Sequence, residues 1–212
     1  MVLYLSVIGI AMVLIAALNI IFGTASFGYS PWFVIFIVVI STAFQFAIDG
    51  LIAWLWHKTP NKWYTKDKRV VSPPDWQIKF FEKIKIRKWK DKIWELGALG
   101  GFSKAKMVDP KDPEYINLFI IESGKGIVEH YIGAVAGFLC VFIFPLKYAF
   151  VIGVPVACVN FVLNILPIWV LKYNLPKLKI VLKRAERNKA REENKILKEQ
   201  EIKEEQKAIS NL

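Results

Sequence analysis

Four long apolar runs constrain the fold of this chain more than any other feature of its sequence. They cover residues 2–22, 32–56, 130–146 and 148–171, and Asp49 is the single charged residue within them. A bilayer core is crossed by about 20 helical residues. Three of the runs meet that length, and the third, which Lys147 limits, is barely long enough. The sequence therefore predicts an all-α membrane protein with four transmembrane helices.

The charged residues are concentrated in two segments outside these runs. Residues 57–118 carry a net charge of +7 and residues 172–212 a net charge of +5, whereas the linker at 23–31 carries none. Because basic loops remain on the cytoplasmic side of a membrane, we expect residues 57–118 and both termini to be cytoplasmic. The expected location is the cell membrane, with several crossings.

The formal net charge of +11 indicates an anionic partner. Nucleic acid and anionic lipid both fit a basic chain. The 55% hydrophobic composition favours membrane lipids, and we expect no nucleic-acid partner. Cys140 and Cys158 lie in apolar runs, which is typical of small buried residues rather than of a disulfide or a metal site.

This pattern divides the chain into four parts. We expect an N-terminal transmembrane hairpin at 1–56, a basic amphipathic cytoplasmic insert at 57–118, a C-terminal transmembrane hairpin at 119–176 and a charged tail at 177–212. Apolar residues at helical spacing over 76–96 predict one or two amphipathic helices at the headgroup level. Asp112 and Pro113 suit the start of a helix that runs toward the third crossing. The tail should be helical, with a basic first part that binds anionic lipid and a remainder that can bind a protein partner.

Titratable residues lie at the entrance of the third apolar run, where Glu122, Glu129 and His130 occur within nine residues. Charged groups at membrane depth are costly and indicate function. The alternative is that they are interfacial residues in contact with water that perform no chemistry. His130 beside a carboxylate can act as a general base toward a hydroxyl group. The sequence contains no GxSxG or HExxH motif and no cluster of metal ligands, so we expect no metal site.

Two pairs of polar residues lie inside apolar runs. Gln45 and Asp49 are four residues apart on the second run, and Asn160 and Asn164 are four apart on the fourth. Each pair shares one helix face and should point into the bundle, since lipid would penalise it. They either make interhelical hydrogen bonds or form a polar pocket that completes a site with Glu122 and His130.

Four stretches together resemble a known family. They are IRKWKDKI at 86–93, GGFSKAKM at 100–107, the DPEYINLFIIES and EHY segments of 112–131, and the NILPIWVLKYNLPKLKIVLKRAER segment at 164–187. In this order they resemble the glycosyl-4,4'-diaponeurosporenoate acyltransferases of carotenoid biosynthesis. That family transfers a fatty acyl chain to a sugar hydroxyl on a glycosylated carotenoid acid.

The resemblance implies a set of site residues. His130 would be the catalytic base, and Glu122 or Glu129 would orient it. The family pattern has a second glutamate three residues before the histidine, where this chain has Ile127. The resemblance also implies no cofactor, a fatty acyl thioester of coenzyme A or an acyl carrier as co-substrate, and a lipid or glycolipid acceptor at the cytoplasmic leaflet. The residues that would bind the substrates are Arg87, Lys88, Trp89, Lys90, Tyr173 and Asn174.

Two non-enzymatic alternatives remain open at the level of sequence. In the first, the chain is a membrane scaffold that recruits partners through its basic insert and charged tail. In the second, it is a subunit associated with a transporter, in which Gln45, Asp49, Asn160 and Asn164 line a polar path across the bilayer.

Overall fold

The computed structural model describes residues 2–93 and 108–210. Four of its helices are long and apolar enough to cross a membrane: Tyr4–Phe27, Pro31–His57, Pro113–Phe142 and Leu146–Glu204. The described residues contain no β-strand. The expected all-α class is thus confirmed, together with four helices of the length and composition that a membrane crossing requires.

The first two crossings form an antiparallel hairpin with a short turn. Helix α1 (Val2–Leu18) continues through a π-helical turn at Asn19–Gly23 and a further turn at Thr24–Phe27. Gly28 ends it in the left-handed conformation, with φ of +65°, which glycine adopts at no steric cost. Helix α2 (Pro31–His57) then begins at a proline, the residue best suited to a first helical position.

Part of the insert between the second and third crossings lies against the membrane helices. Helix α3 (Asp75–Lys83) is followed by short 3₁₀ turns at Ile86–Lys88 and Lys90–Lys92. The Phe80 ring packs edge-on against Trp169, with centroids 5.3 Å apart, and the Phe81 ring packs edge-on against Tyr173 at 6.4 Å. These contacts place α3 on the fourth crossing.

The helical spacing over 76–96 predicted more helix than the structure contains. Helix α3 ends because Lys85 takes a left-handed conformation, with φ of 53°, which a continuing helix excludes. This turn is followed by Ile86, which is 1% exposed. Residues 94–107, which include the last part of that pattern and the GGFSKAKM stretch, lie outside the described residues.

The third crossing begins far earlier than its apolar run suggested. Helix α4 (Pro113–Ala136) starts at Asp112, whose carboxylate accepts hydrogen bonds from the backbone N–H groups of Glu114 and Tyr115 at 3.0 and 3.2 Å. This confirms the expected cap. A 3₁₀ segment at Gly137–Phe142 extends the helix. The charges near its middle do not interrupt it, because Lys125 and Glu122 pair with each other.

The fourth crossing and the tail form one helix. After short turns at Leu146–Tyr148 and Ala149–Gly153, helix α5 (Val154–Ser210) runs for 57 residues with Pro167 and Pro176 inside it. It packs along α4 through a shared apolar core. The buried members of that core include Ile116, Phe119, Ile120, Ile127, Ile168, Leu171, Leu175, Leu178 and Leu182.

Helix α1 lies at the edge of the bundle. No residue in its most apolar window is buried, whereas the corresponding windows of the other three crossings are 28 to 39% buried. Its outer face, which includes Val13 at 67% exposed, is therefore suited to lipid contact.

Candidate functional site

A hydrogen-bonded polar network joins three of the crossings around His130. The Nδ1 atom of His130 on α4 lies 2.9 Å from the Oδ1 atom of Asn164 on α5. Asn164 donates through Nδ2 to Asp49 Oδ2 on α2 at 3.3 Å. The same Nδ2 lies 3.1 Å from the backbone oxygen of Asn160 and 3.2 Å from its Oδ1. His130 therefore shares its partner with a carboxylate on another helix.

The chemistry of these groups fixes the form of the imidazole. A backbone oxygen can only accept a hydrogen bond, so the Nδ2 atom of Asn164 must face Asn160 and its Oδ1 atom must face His130. An amide oxygen also only accepts, so His130 donates through Nδ1–H. In the neutral ring the lone pair is then on Nε2. That is the arrangement a general base requires.

Two glycines let the second half of the network approach α4 closely. Asn160 donates to the Gly133 carbonyl at 3.2 Å, and Gln45 donates to the Gly137 carbonyl at 2.7 Å. A Cβ atom on Gly133 would lie 2.7 Å from Asp49 Oδ1, and one on Gly137 would lie 2.7 Å from Gln45 Oε1. No side chain fits at either position without a shift of the network.

The expected inward orientation of the two polar pairs is confirmed. Gln45, Asn160 and Asn164 are each 5 to 6% exposed. They make interhelical hydrogen bonds, which was one of the two expectations for these pairs. One further bond joins Asn164 to His130, as the expectation of a polar pocket around His130 required. Glu122 is not among their partners.

Glu122 belongs to a separate cluster at the end of α2. Its carboxylate lies 3.1 Å from Lys125 Nζ and 3.9 Å from His57 Nδ1. Lys125 also donates to the His57 carbonyl at 3.3 Å. The side chains of Glu122 and Lys125 are only 12% and 8% exposed. Eight residues, or about 12 Å of helix, separate Glu122 from His130. The two residues therefore lie at different levels of α4.

Glu129 directly precedes His130 on α4 and is half-buried. Its assignment as an orienting partner stays a prediction. Ile127, which occupies the position of the family's second glutamate, is fully buried in the core between α4 and α5.

The basic block of the insert follows α3. Arg87 and Lys88 are exposed, and Lys90 pairs with Asp91 at 2.9 Å. The Trp89 indole donates to the Ile84 carbonyl at 3.1 Å, which holds the turn together. The assignment of Arg87, Lys88, Trp89 and Lys90 to substrate binding stays a prediction.

The other two residues assigned to substrate binding lie on α5. Tyr173 contacts Phe81 of α3, and Lys177 Nζ lies 3.9 Å from the centre of its ring. Asn174 is half-buried beside it. Their assignment to substrate binding also stays a prediction.

Sequence reasoning missed Lys125 and Lys172. Lys172 donates to the Tyr131 hydroxyl at 3.0 Å and to Gln77 Oε1 at 3.5 Å, and so ties α3 and α5 to the residue after His130. A signal for Lys125 existed, because a Glu three residues before a Lys lies on the same helix face. No such local signal existed for Lys172, since its partners are 41 and 95 residues away.

The comparisons with known proteins give one match. A family model described as glycosyl-4,4'-diaponeurosporenoate acyltransferase matches residues 60–184, which is more than half of the chain and includes His130, Asn164 and the whole basic block. No curated protein and no solved structure matches the chain. The chain belongs to the glycosyl-4,4'-diaponeurosporenoate acyltransferase family.

Proposed function

We propose that the protein is a membrane-bound acyltransferase that moves a fatty acyl group from a thioester to a hydroxyl of a glycosylated isoprenoid or a similar lipid. Family membership supports the reaction class. The observation that carries the assignment of the base is the 2.9 Å contact between His130 Nδ1 and Asn164 Oδ1, which leaves Nε2 as the proton acceptor.

The proposed step needs no group beyond the two substrates and the histidine. His130 Nε2 takes the proton of the acceptor hydroxyl while that oxygen attacks the carbonyl carbon of the thioester. The tetrahedral intermediate then collapses, the C–S bond breaks, and the leaving thiolate takes the proton back from the imidazolium. General base catalysis of this kind contributes about 10²- to 10⁴-fold to a rate.

The surrounding residues have supporting roles in this proposal. Asn164 positions the imidazole, and Asp49 positions Asn164. Glu129 precedes the base in the sequence, and in this proposal its carboxylate would stabilise the imidazolium. Glu122 and Lys125 fasten α4 to the end of α2 and thereby hold the helix that carries His130.

The basic block supplies the binding site for the donor's carrier. Arg87, Lys88 and Lys90 would bind the phosphate groups of coenzyme A or of an acyl carrier, and Trp89 would line the same surface. Arginine and lysine are the usual partners of phosphate groups. Tyr173 contacts α3 through Phe81, and Asn174 follows it on α5; both would contact the acceptor's polar head.

We propose that the reaction occurs at the cytoplasmic leaflet, with both termini and residues 57–118 in the cytoplasm. The charge distribution supports this orientation. Cysteine labelling tests it: in a variant without Cys140 and Cys158, a thiol placed by Asn61→Cys should react with an impermeant maleimide only in inverted vesicles. Ser30→Cys, in the turn between α1 and α2, should react only in intact cells. The opposite pattern would overturn the orientation.

The chemistry is tested by His130→Ala in the full-length protein reconstituted in nanodiscs. The assay follows transfer from a radiolabelled long-chain acyl-coenzyme A to glycosyl-4,4'-diaponeurosporenoate. We expect a loss of at least about 100-fold in kcat. His57→Ala is the matched control, because His57 is the other histidine of the chain and its side chain is 67% exposed. Full turnover by His130→Ala would overturn the proposal.

A scaffold function is the second candidate, and the end of α5 favours it. Residues 191–204 are exposed, and Ile196, Leu197 and Ile202 are each 50 to 55% exposed on this charged stretch. A solvent-facing helix with a few apolar side chains can bind a protein partner. This function is compatible with catalysis, because residues 191–204 lie far along α5 from Asn164, the residue that contacts His130.

A further inference from the structure

A cavity inside the membrane region borders the polar network through Gln45, Asp49 and Asn160. Helices α1, α2 and α5 line it, and it contains about 410 Å³ of empty space, including the part open to the surface. Most of its lining is apolar. We propose that this cavity binds the hydrocarbon chain of the acyl donor, an inference that rests on the proposed acyl transfer.

The shape of the cavity suits a single extended chain. Its α1 wall consists of Tyr4, Ile8, Ala11, Met12 and Ile15, which follow one another on one face of the helix. From Tyr4 to Ile15 this face is about 16 Å long. One leaflet of a bilayer has a hydrocarbon depth of about 15 Å, half of the core. An acyl chain that enters from one leaflet therefore matches the length of the groove.

The two ends of the cavity differ in polarity. Asp49, Gln45 and Asn160 contribute polar atoms to the wall near the insert, and Tyr4 adds a hydroxyl there. The deeper end is lined by apolar groups such as Ile15 and Val156. A fatty acyl group has the same arrangement, with a polar carbonyl at one end and a methyl group at the other.

The polar end is connected to the proposed base through two hydrogen bonds. Asp49 lines the cavity and accepts the hydrogen bond from Asn164, and Asn164 holds His130. A chain with its methyl end at Ile15 would thus have its carbonyl end on the side of the bundle where the network lies. This connection to His130 is why we assign the cavity to the acyl donor rather than to an ordinary bilayer lipid.

The lining also indicates which residue would limit the length of the bound acyl chain. Ala11 is the smallest residue of the α1 wall and lies near its middle. A larger side chain there would shorten the groove without touching the polar network. One methylene more or less in an apolar pocket changes specificity by about 10- to 200-fold.

The test is a donor series of increasing chain length with Ala11→Leu and Ala11→Phe in nanodiscs. We expect kcat/KM for the longest donors to fall by about 10-fold or more, while the shortest donors keep near-normal values. Val13→Phe is the matched control, because Val13 is on the outer face of the same helix and 67% exposed. It should leave the chain-length profile unchanged. A profile that Ala11→Phe does not alter would overturn the inference.

A second measurement decides the case in which the larger side chains disturb folding. The otherwise intact His130→Ala protein is irradiated with an acyl-coenzyme A that carries a diazirine at the end of its chain. Cross-links should form on residues 8–15 of α1 or 42–46 of α2. Cross-links elsewhere, or competition by phospholipid as effective as by unlabelled donor, would overturn the inference. If cross-links form at the expected residues but the wild-type protein shows no acyl transfer, the binding site for the acyl chain is supported and the proposed function is contradicted.

Discussion

The imidazole of His130 and the side-chain amide of Asn164 meet at 2.9 Å and join α4 to α5 inside the bundle. Asn164 has its orientation fixed by the backbone oxygen of Asn160, one helical turn earlier. The protonated nitrogen of the histidine is therefore set by the backbone geometry of α5. In the proposed mechanism this asparagine has the role that a carboxylate has in many catalytic sites, without placing a negative charge against the ring.

Asn164→Leu removes the acceptor of the Nδ1 hydrogen bond. The tautomer with Nδ1–H then loses the hydrogen bond that favours it, so we expect kcat to fall by at least about 10-fold with little change in KM. Steady-state transfer assays measure both constants. Val162→Leu, a lipid-facing change on the same helix, serves as the control. An unchanged kcat in Asn164→Leu would show that the hydrogen bond does not position a base.

In the proposed mechanism Asp49 acts through Asn164, and we expect that its charge is not needed for that role. Asp49→Asn retains an oxygen that can accept from Asn164, so kcat should remain within about threefold of the wild type. Asp49→Leu lacks the acceptor and should lose more activity, though less than Asn164→Leu, because the Asn160 backbone still accepts from Asn164. Equal losses in Asp49→Asn and Asp49→Leu would contradict this and indicate a role for the charge.

At Gly133 and Gly137 the absence of a side chain lets the polar network approach the α4 backbone closely. An added Cβ atom would lie 2.7 Å from an oxygen of Asp49 or of Gln45. We expect Gly133→Ala and Gly137→Ala each to reduce the free energy of unfolding by about 1–3 kcal/mol. Thermal unfolding in detergent measures the effect.

Gly9→Ala and Gly50→Ala are the controls for these glycines. A Cβ atom at either position meets nothing within 4 Å. Alanine favours helix over glycine by up to about 1 kcal/mol, so these two variants should be neutral or more stable. Destabilisation in all four would mean that the crowding at Gly133 and Gly137 is not the cause.

Lys125→Met leaves the Glu122 carboxylate without its closest cation in a mostly buried position. Removal of one partner from a buried pair costs about 3–5 kcal/mol. The double variant Glu122→Gln with Lys125→Met should cost less than Lys125→Met alone, because no lone charge remains. A double-mutant cycle of unfolding free energies measures the coupling.

The exposed pair of Glu114 and Lys189 gives a comparison for that cycle. Its atoms are 3.5 Å apart and its side chains are 84% and 50% exposed. Such pairs stabilise a protein by about 0–1 kcal/mol. Glu114→Gln should therefore have a small effect. A coupling between Glu122 and Lys125 no larger than this would contradict their role as a buried clamp.

Deletion of the chain after Ala190 separates catalysis from partner binding. The last ion pairs between the tail and the rest of the described structure involve Glu186 and Lys189. We expect the shortened protein to keep its acyl-transfer rate and its thermal stability. Any partner that binds the wild type through residues 191–204 should be lost in a pull-down from membranes. Loss of transfer activity on deletion would indicate that the tail supports the site.

The apolar runs and the helix start at Asp112 were predictable from the sequence, whereas the inclusion of Glu122 and Lys125 in the third crossing was not. Hydropathy adds up the contributions of single residues. It therefore identifies a crossing when each residue contacts lipid independently of its neighbours. Helix α4 departs from this because Lys125 and Glu122 neutralise each other three residues apart, which hydropathy does not register. Helix α3 ended early for a similar reason, since spacing alone does not reveal the left-handed turn at Lys85.

The members of the polar network were predictable from the sequence, but their pairing was not. The four-residue spacing of Gln45 with Asp49 and of Asn160 with Asn164 correctly predicted inward-facing pairs. That His130 would take Asn164 as its partner depends on how α4 and α5 pack. That packing depends in turn on two glycines whose sequence context gives no sign of their role.

The 57-residue helix α5 has a mechanical consequence. Asn164 and Lys189 are 25 residues apart on it, or about 38 Å along the axis. Pro167 and Pro176, which each remove one backbone hydrogen bond, lie between them. A partner that binds the tail would therefore act on the same helix that carries Asn164, the residue that contacts His130. The two prolines are positions between them at which this helix can bend.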